Sequence, residues 1–149
     1  MTKQDIFALA CDLAAEYHEG QTYFDEGSYY LDHLLPVATS ATRFAQPWLH
    51  PLDVQTVGVL HDILEDTECT ADVLLDKGIP AYLVEAVILL TKPEGRYIRK
   101  EYITNLMLNP LAHCVKIADS HFNLTQSLIE RNYRRVKKYT ENLTWMMIQ

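Results

Sequence analysis

Gly58-Val-Leu-His-Asp-Ile-Leu-Glu-Asp-Thr67 sets an ionisable tetrad inside an apolar stretch. Val54, Val57, Leu60 and Leu64 recur at three- and four-residue spacing, which predicts one buried helical stripe, and Pro51 suits its first turn. His61 and Asp62 interrupt that helix, and charged groups facing a core are costly unless paired or metal-bound. Glu65 follows His61 by four residues and Asp66 follows Asp62 by four, so each pair is expected to share a helix face. Three of the four side chains are acidic and would repel one another in a closed site. A divalent cation removes that repulsion. The competing reading is the polar end of a surface helix, since Glu65-Asp66-Thr67-Glu68 has that character on its own.

Outward from this stretch the helical period persists. Ile6, Leu9, Ala10, Leu13, Ala14 and Tyr17 form a first stripe, with Thr2 and Asp5 as a capping box and Gly20 as the stop. Residues 20–29 read as a loop. Leu34, Val37, Ala38, Ala41 and Ala45 predict a helix that ends before Pro47. Thr70 caps a short helix closed by Gly78, and Pro80 opens an apolar helix over 81–90. Residues 91–96 form a turn, and further helices are expected over 98–108, 110–128 and from 131 onward. No segment alternates with period two. The expectation is an all-α helical bundle forming one domain over residues 1–149.

Composition narrows the class. The chain has 149 residues, 48% hydrophobic and 22% charged, enough to bury one core without staples. The apolar run at 79–90 is too short for a membrane span and contains Pro80 and Glu85. The start lacks the basic and apolar blocks of a signal peptide, so a cytoplasmic location is expected. Cys11, Cys69 and Cys114 are far apart and are expected to be buried small hydrophobes. Residues 1–91 carry 15 Asp/Glu against 3 Lys/Arg, whereas residues 92–149 carry 5 against 10. An acidic bulk disfavours nucleic-acid binding. The split allows a cation site in the first half and an anion-binding wall from the second. Homo-oligomerisation is left open.

Two more segments join the tetrad. Tyr30-Leu-Asp-His-Leu-Leu-Pro-Val-Ala38 places His33 at the start of an apolar helix. Val115-Lys-Ile-Ala-Asp-Ser-His-Phe-Asn-Leu124 places Asp119 after an apolar run, with Asn123 one turn later. His33, His61, Asp62 and Asp119 make a mixed imidazole–carboxylate set, which suits Mn²⁺, Fe²⁺ or Zn²⁺ better than Ca²⁺.

The order His…His-Asp…Asp resembles the signature of the HD phosphohydrolase superfamily. Leu-His-Asp-Ile-Leu-Glu-Asp-Thr67 and Val-Lys-Ile-Ala-Asp119 followed by Asn123-Leu look like the hydrolase domain of the RelA/SpoT-type alarmone enzymes. His18-Glu-Gly-Gln21 and Leu89-Leu-Thr-Lys92 resemble two further elements of that group, and the match spans roughly residues 8–128. The resemblance implies an Mn²⁺-dependent hydrolase that removes the 3′-pyrophosphate of guanosine tetra- or pentaphosphate. It implies His33, His61, Asp62 and Asp119 as metal ligands, Glu65 and Asp66 as the groups that orient and deprotonate water, and Asn123 and Lys92 at the substrate. The loop departs from the family, which places basic residues where Thr22, Tyr23 and Phe24 stand. Tyr23 or Phe24 is expected to stack on a base. Ser120 stands where the family places Arg or Lys, and His121 is expected near the ligands.

The other histidines carry structural expectations: His18 supports the loop, His50 starts a helix and His113 is a satisfied, half-buried imidazole. Arg131 to Tyr139 interleaves basic and aromatic residues. We read it as a solvated face with Tyr133, Val136 and Leu143 toward the core; the alternative brings Arg134, Lys138 or Tyr139 into a phosphate pocket. Trp145 to Ile148 form an apolar end expected to dock on the core or on another subunit. Three functions follow: a phosphohydrolase acting on an alarmone, a related nucleotide or another phosphate ester; a metal- and nucleotide-binding regulatory module without turnover; and a helical protein with an accidental cluster.

Overall fold

The computed structural model describes residues 1–24 and 26–148. The fold is an all-α bundle, and among the described residues β-structure is limited to one isolated bridge, Tyr23 with Glu26. Helix α1 (Lys3–Tyr17) opens with the expected capping box: Thr2 accepts from the Asp5 N–H and Asp5 accepts from the Thr2 N–H. It buries Ile6, Ala10, Leu13 and Ala14. The loop beyond it is closed by the Tyr29 N–H donating to the Gln21 carbonyl at 2.9 Å. A π-helical turn, Tyr30–Leu34, then runs into α2 (Leu35–Ala41). Such wide turns recur at functional sites, and this one carries His33.

Helix α3 (Pro51–Leu60) packs against α1 and α2. Its contact with α2 is close: a Cβ on Gly58 would meet the Ala38 Cα at 2.6 Å, so only glycine fits. The continuous helix expected through Leu64 is broken. Leu60 ends α3, and a short α4 (Ile63–Asp66) restarts it, with Asp62 at φ −105°, ψ 0°. The cause is local. The Gly58 carbonyl accepts from the His61 imidazole Nδ1 at 2.6 Å and from the His61 N–H at 3.5 Å, and this tightens the turn.

Helices α5 (Ala71–Lys77) and α6 (Ala81–Leu90) follow as expected, α5 capped by Thr70 and ended by Gly78 at φ +109°. Helix α7 (Arg99–Leu106) is pinned to the end of α6 by the Tyr102 hydroxyl, which donates to the Leu90 carbonyl. Helix α8 (Pro110–Ile129) runs through the core and packs on α2, α3, α6 and α9 (Tyr133–Met147). No helix of the described residues is long and apolar enough to cross a membrane.

Four expectations about packing are corrected. Tyr133 is 73% exposed and does not face the core, because the α9 face toward the bundle centres on Asn142 and Met146. The apolar end docks only in part: Met146 is buried and Trp145 half-buried, whereas Met147 and Ile148 are exposed. Cys69 and Cys114 are buried but Cys11 is only half-buried. His121 is exposed on α8 and lies apart from the ligand cluster.

Candidate metal centre

His33, His61, Asp62 and Asp119 come from three separate segments: the π turn, the α3–α4 break and the middle of α8. Each offers one ligand atom, and these atoms lie within 4.8 Å of one another. His33 Nε2 is 3.0 Å from Asp119 Oδ1 and 3.8 Å from Asp62 Oδ2; His61 Nε2 is 3.1 Å from Asp62 Oδ2 and 3.3 Å from Asp119 Oδ1. Both imidazoles and Asp119 are buried.

The donor set fits a cation. A backbone carbonyl only accepts, so the 2.6 Å contact to Gly58 places the His61 proton on Nδ1. A neutral ring then aims the bare Nε2 lone pair at two carboxylate oxygens. Only a second proton or a metal ion resolves that, and a carbonyl holding the other ring nitrogen is the usual orienting contact of a metal-binding imidazole. Without an ion the proton is the answer. Burial would lower the His61 basicity, but the carboxylates of Asp62 and Asp119 overcome it and hold the ring well above its ordinary value. Burial would likewise raise Asp119, and the Lys116 ammonium with the two imidazoles instead holds it well below the usual carboxylate range.

Asp119 is firmly held. Lys116 Nζ donates to its Oδ2 at 3.1 Å, and Asn123 Nδ2 donates to its Oδ1 at 3.0 Å. The Tyr23 hydroxyl donates to Asn123 Oδ1 at 3.0 Å, and its ring stacks on His33 at 4.5 Å and 17°. Tyr23, expected to stack on a base, thus packs its ring against His33 of the cluster. Phe24, at φ +59°, meets the Arg135 guanidinium at 5.0 Å. His18 stays outside the ligand set and supports the loop as expected: its Nδ1 pairs with Gln21 Oε1 at 2.8 Å, while Gln21 Nε2 donates to the Asp66 carbonyl. His50 caps α3 with Nδ1, and His113 Nε2 donates to the Met146 carbonyl.

Glu65 and Asp66 stand beside the cluster, each offering a carboxylate oxygen within 4.8 Å of Asp62. The Lys92 N–H donates to Glu65 Oε1 at 2.9 Å and its ammonium lies 3.6 Å from Oε2. Lost hydration, then the carboxylates of Asp62 and Glu65, push Asp66 up to about 6. The site opens into a cleft of about 640 Å³. Its far wall is basic: Arg99 on α7 and Arg135 and Lys138 on α9, with Tyr139 among them. Partial burial, then the surrounding cations Lys92, Lys116, Arg99 and Arg135, lower Lys138 to about 8. Arg99 is paired with Glu141 Oε1 at 3.2 Å, and Lys92 and Lys116 face Glu65 and Asp119, so the cations of this wall without a carboxylate within 4.0 Å, among the described residues, are Arg135 and Lys138.

This wall corrects the solvated-face reading of α9. Lys138 and Tyr139 line the cleft, and so does Arg135; Arg134 is exposed and is not among the lining residues. Sequence reasoning also missed Arg99 and Lys116. Lys116 left one readable signal, its three-residue spacing from Asp119 on one helix.

The donors gathered from three segments of this α-bundle, at the foot of a charged cleft, form a His/Asp cluster that could hold a metal ion. The fold is shared with a solved structure described as "A metazoan ortholog of SpoT hydrolyzes ppGpp and plays a role in starvation responses". The TM-score is 0.72 at 22% identity, over 93% of this chain and 85% of that one. The expected all-α bundle is thus found, with the fold of that structure. No protein-family model and no curated protein matches the sequence.

Proposed function

We propose that this chain is a divalent-metal-dependent phosphohydrolase of nucleotides, and that its substrate is guanosine tetra- or pentaphosphate, cut at the 3′-pyrophosphate. The observation that carries the reading is the convergence of His33, His61, Asp62 and Asp119 beside Glu65 and Asp66. Two facts support the nucleotide: the basic wall across the cleft, and the fold likeness to a protein described as hydrolysing ppGpp.

His33, His61, Asp62 and Asp119 would hold the ion, with Mn²⁺ the favoured metal. Bound there, it supplies positive charge that polarises a phosphoryl oxygen and acidifies water. Asp66 takes the proton of the attacking water, since partial burial and the carboxylates of Asp62 and Glu65 push it toward greater basicity than an ordinary aspartate. Glu65, fixed by Lys92, orients that water. Lys92, Asn123 and Tyr23 border the reacting end of the substrate. Arg99, Arg135 and Lys138 neutralise its remaining phosphates.

The test is incubation of the purified protein with Mn²⁺ and a panel of nucleotides, reading released pyrophosphate and phosphate. Pyrophosphate from the guanosine alarmones, lost in His61→Ala, is the expected outcome. Turnover of other phosphate esters alone rejects the substrate and keeps the reaction class. Tight binding without product selects a regulatory module.

A further inference from the structure

Asp119 has a lysine, an asparagine and two imidazoles to fix it. Asp62 sits on the short break between α3 and α4 and faces the same two imidazoles. Among the described residues, its one hydrogen-bond donor besides those rings is the Tyr29 hydroxyl, at 2.5 Å from Oδ2. That oxygen is the one turned toward His61 Nε2 and His33 Nε2.

Tyr29 is itself well anchored. Its N–H closes the loop onto Gln21, and its ring lies 5.3 Å from His18 and 5.1 Å from His33. The turn before it is tight: at Gly27 (φ +72°) a Cβ would strike Asp32, whose Oδ2 accepts from the Ser28 N–H at 2.7 Å. The hydroxyl is therefore delivered by a constrained segment.

We propose that Tyr29 is a positioning residue of the cation site, holding the Asp62 carboxylate in its ligating orientation through the Oη–Oδ2 hydrogen bond. This rests on the metal reading above. A carboxylate with one external anchor loses its orientation when that anchor goes, and removal of such outer contacts costs about 10–100-fold in metal affinity. A ring that merely fills space would leave affinity unchanged when only its oxygen is removed.

The experiment measures Mn²⁺ affinity by calorimetry and the visible spectrum of the Co²⁺-loaded protein, for wild type and Tyr29→Phe. Metal-free thermal unfolding is followed alongside. The expected result is Mn²⁺ binding about 10–100-fold weaker in the Phe variant, with an altered Co²⁺ spectrum and a metal-free unfolding midpoint close to that of wild type. Tyr29→Leu also removes the ring that lies against His18 and His33. It should lower the unfolding midpoint while weakening Mn²⁺ no further than Phe does. Equal affinity and an unchanged Co²⁺ spectrum in Tyr29→Phe overturn the role of Tyr29 alone, as does a Leu variant that binds far more weakly than Phe. A wild-type chain that binds no divalent ion overturns the metal reading, and this one with it.

Discussion

Asp66 stands at the edge of the cleft with Asp62 and Glu65 for neighbours, and its chemistry follows from that company. Like charges and lost hydration favour its protonated form, so its titration midpoint in the metal-free protein is expected near 6 by carbon-detected NMR. Loading the site with a divalent ion should move that midpoint down, because a nearby positive charge favours the carboxylate. Asp66→Asn preserves shape and deletes the base. Single-turnover hydrolysis should fall about 10²–10⁴-fold while the bound-metal stoichiometry stays at the wild-type value. A parallel loss of metal would place Asp66 among the ligands instead.

Helices α2 and α3 carry the centre between them, His33 just before one and His61 just after the other, and Gly58 sets their separation. Gly58→Ala gains up to about 1 kcal/mol of helix propensity. Against this, the new Cβ would sit 2.6 Å from an α2 backbone atom that cannot rotate away. The clash wins, and a net loss of about 1–3 kcal/mol is expected in chemical denaturation, with weaker metal binding as the imidazoles separate. The helices themselves were legible: Pro51, Thr70, Gly78, Pro80 and the apolar stripes mark their ends and faces. The break at His61 was not, because Val57, Leu60 and Leu64 keep their period across it and the competing acceptor is a glycine carbonyl with no sequence signature. The four-residue cluster of His33, His61, Asp62 and Asp119, which could hold a metal, was legible from residue type and order. The basic wall was legible only as one of two readings, which named Lys138 and Tyr139 but not Arg99 or Arg135, because a helix face lining a polar cleft carries the same residues as one turned to bulk water.

At the scale of the molecule, the buried charges make stability depend on pH and metal together. In the metal-free chain the His61 imidazolium contributes stability fully present below its unfolded value of 6.5, lost as pH rises through the raised folded value. Asp62 and Asp119, both depressed, contribute stability present above 3.8 and lost as pH falls through their folded values. Thermal unfolding with chelator present should therefore show a maximum between about pH 4 and 6.5. Excess Mn²⁺ should lift the alkaline side, by about 2.7 kcal/mol at a hundredfold excess over Kd. A metal-independent profile would remove the coupling. The acidic and basic halves of the chain share one cleft: Asp62, Glu65 and Asp66 come from the first, and Arg99, Arg135 and Lys138 from α7 and α9 of the second. None of the four side chains that could hold an ion lies on α9. Exchanges at positions 135, 138 and 139 would therefore reshape the rim of the cleft and its charge while leaving those four donors untouched.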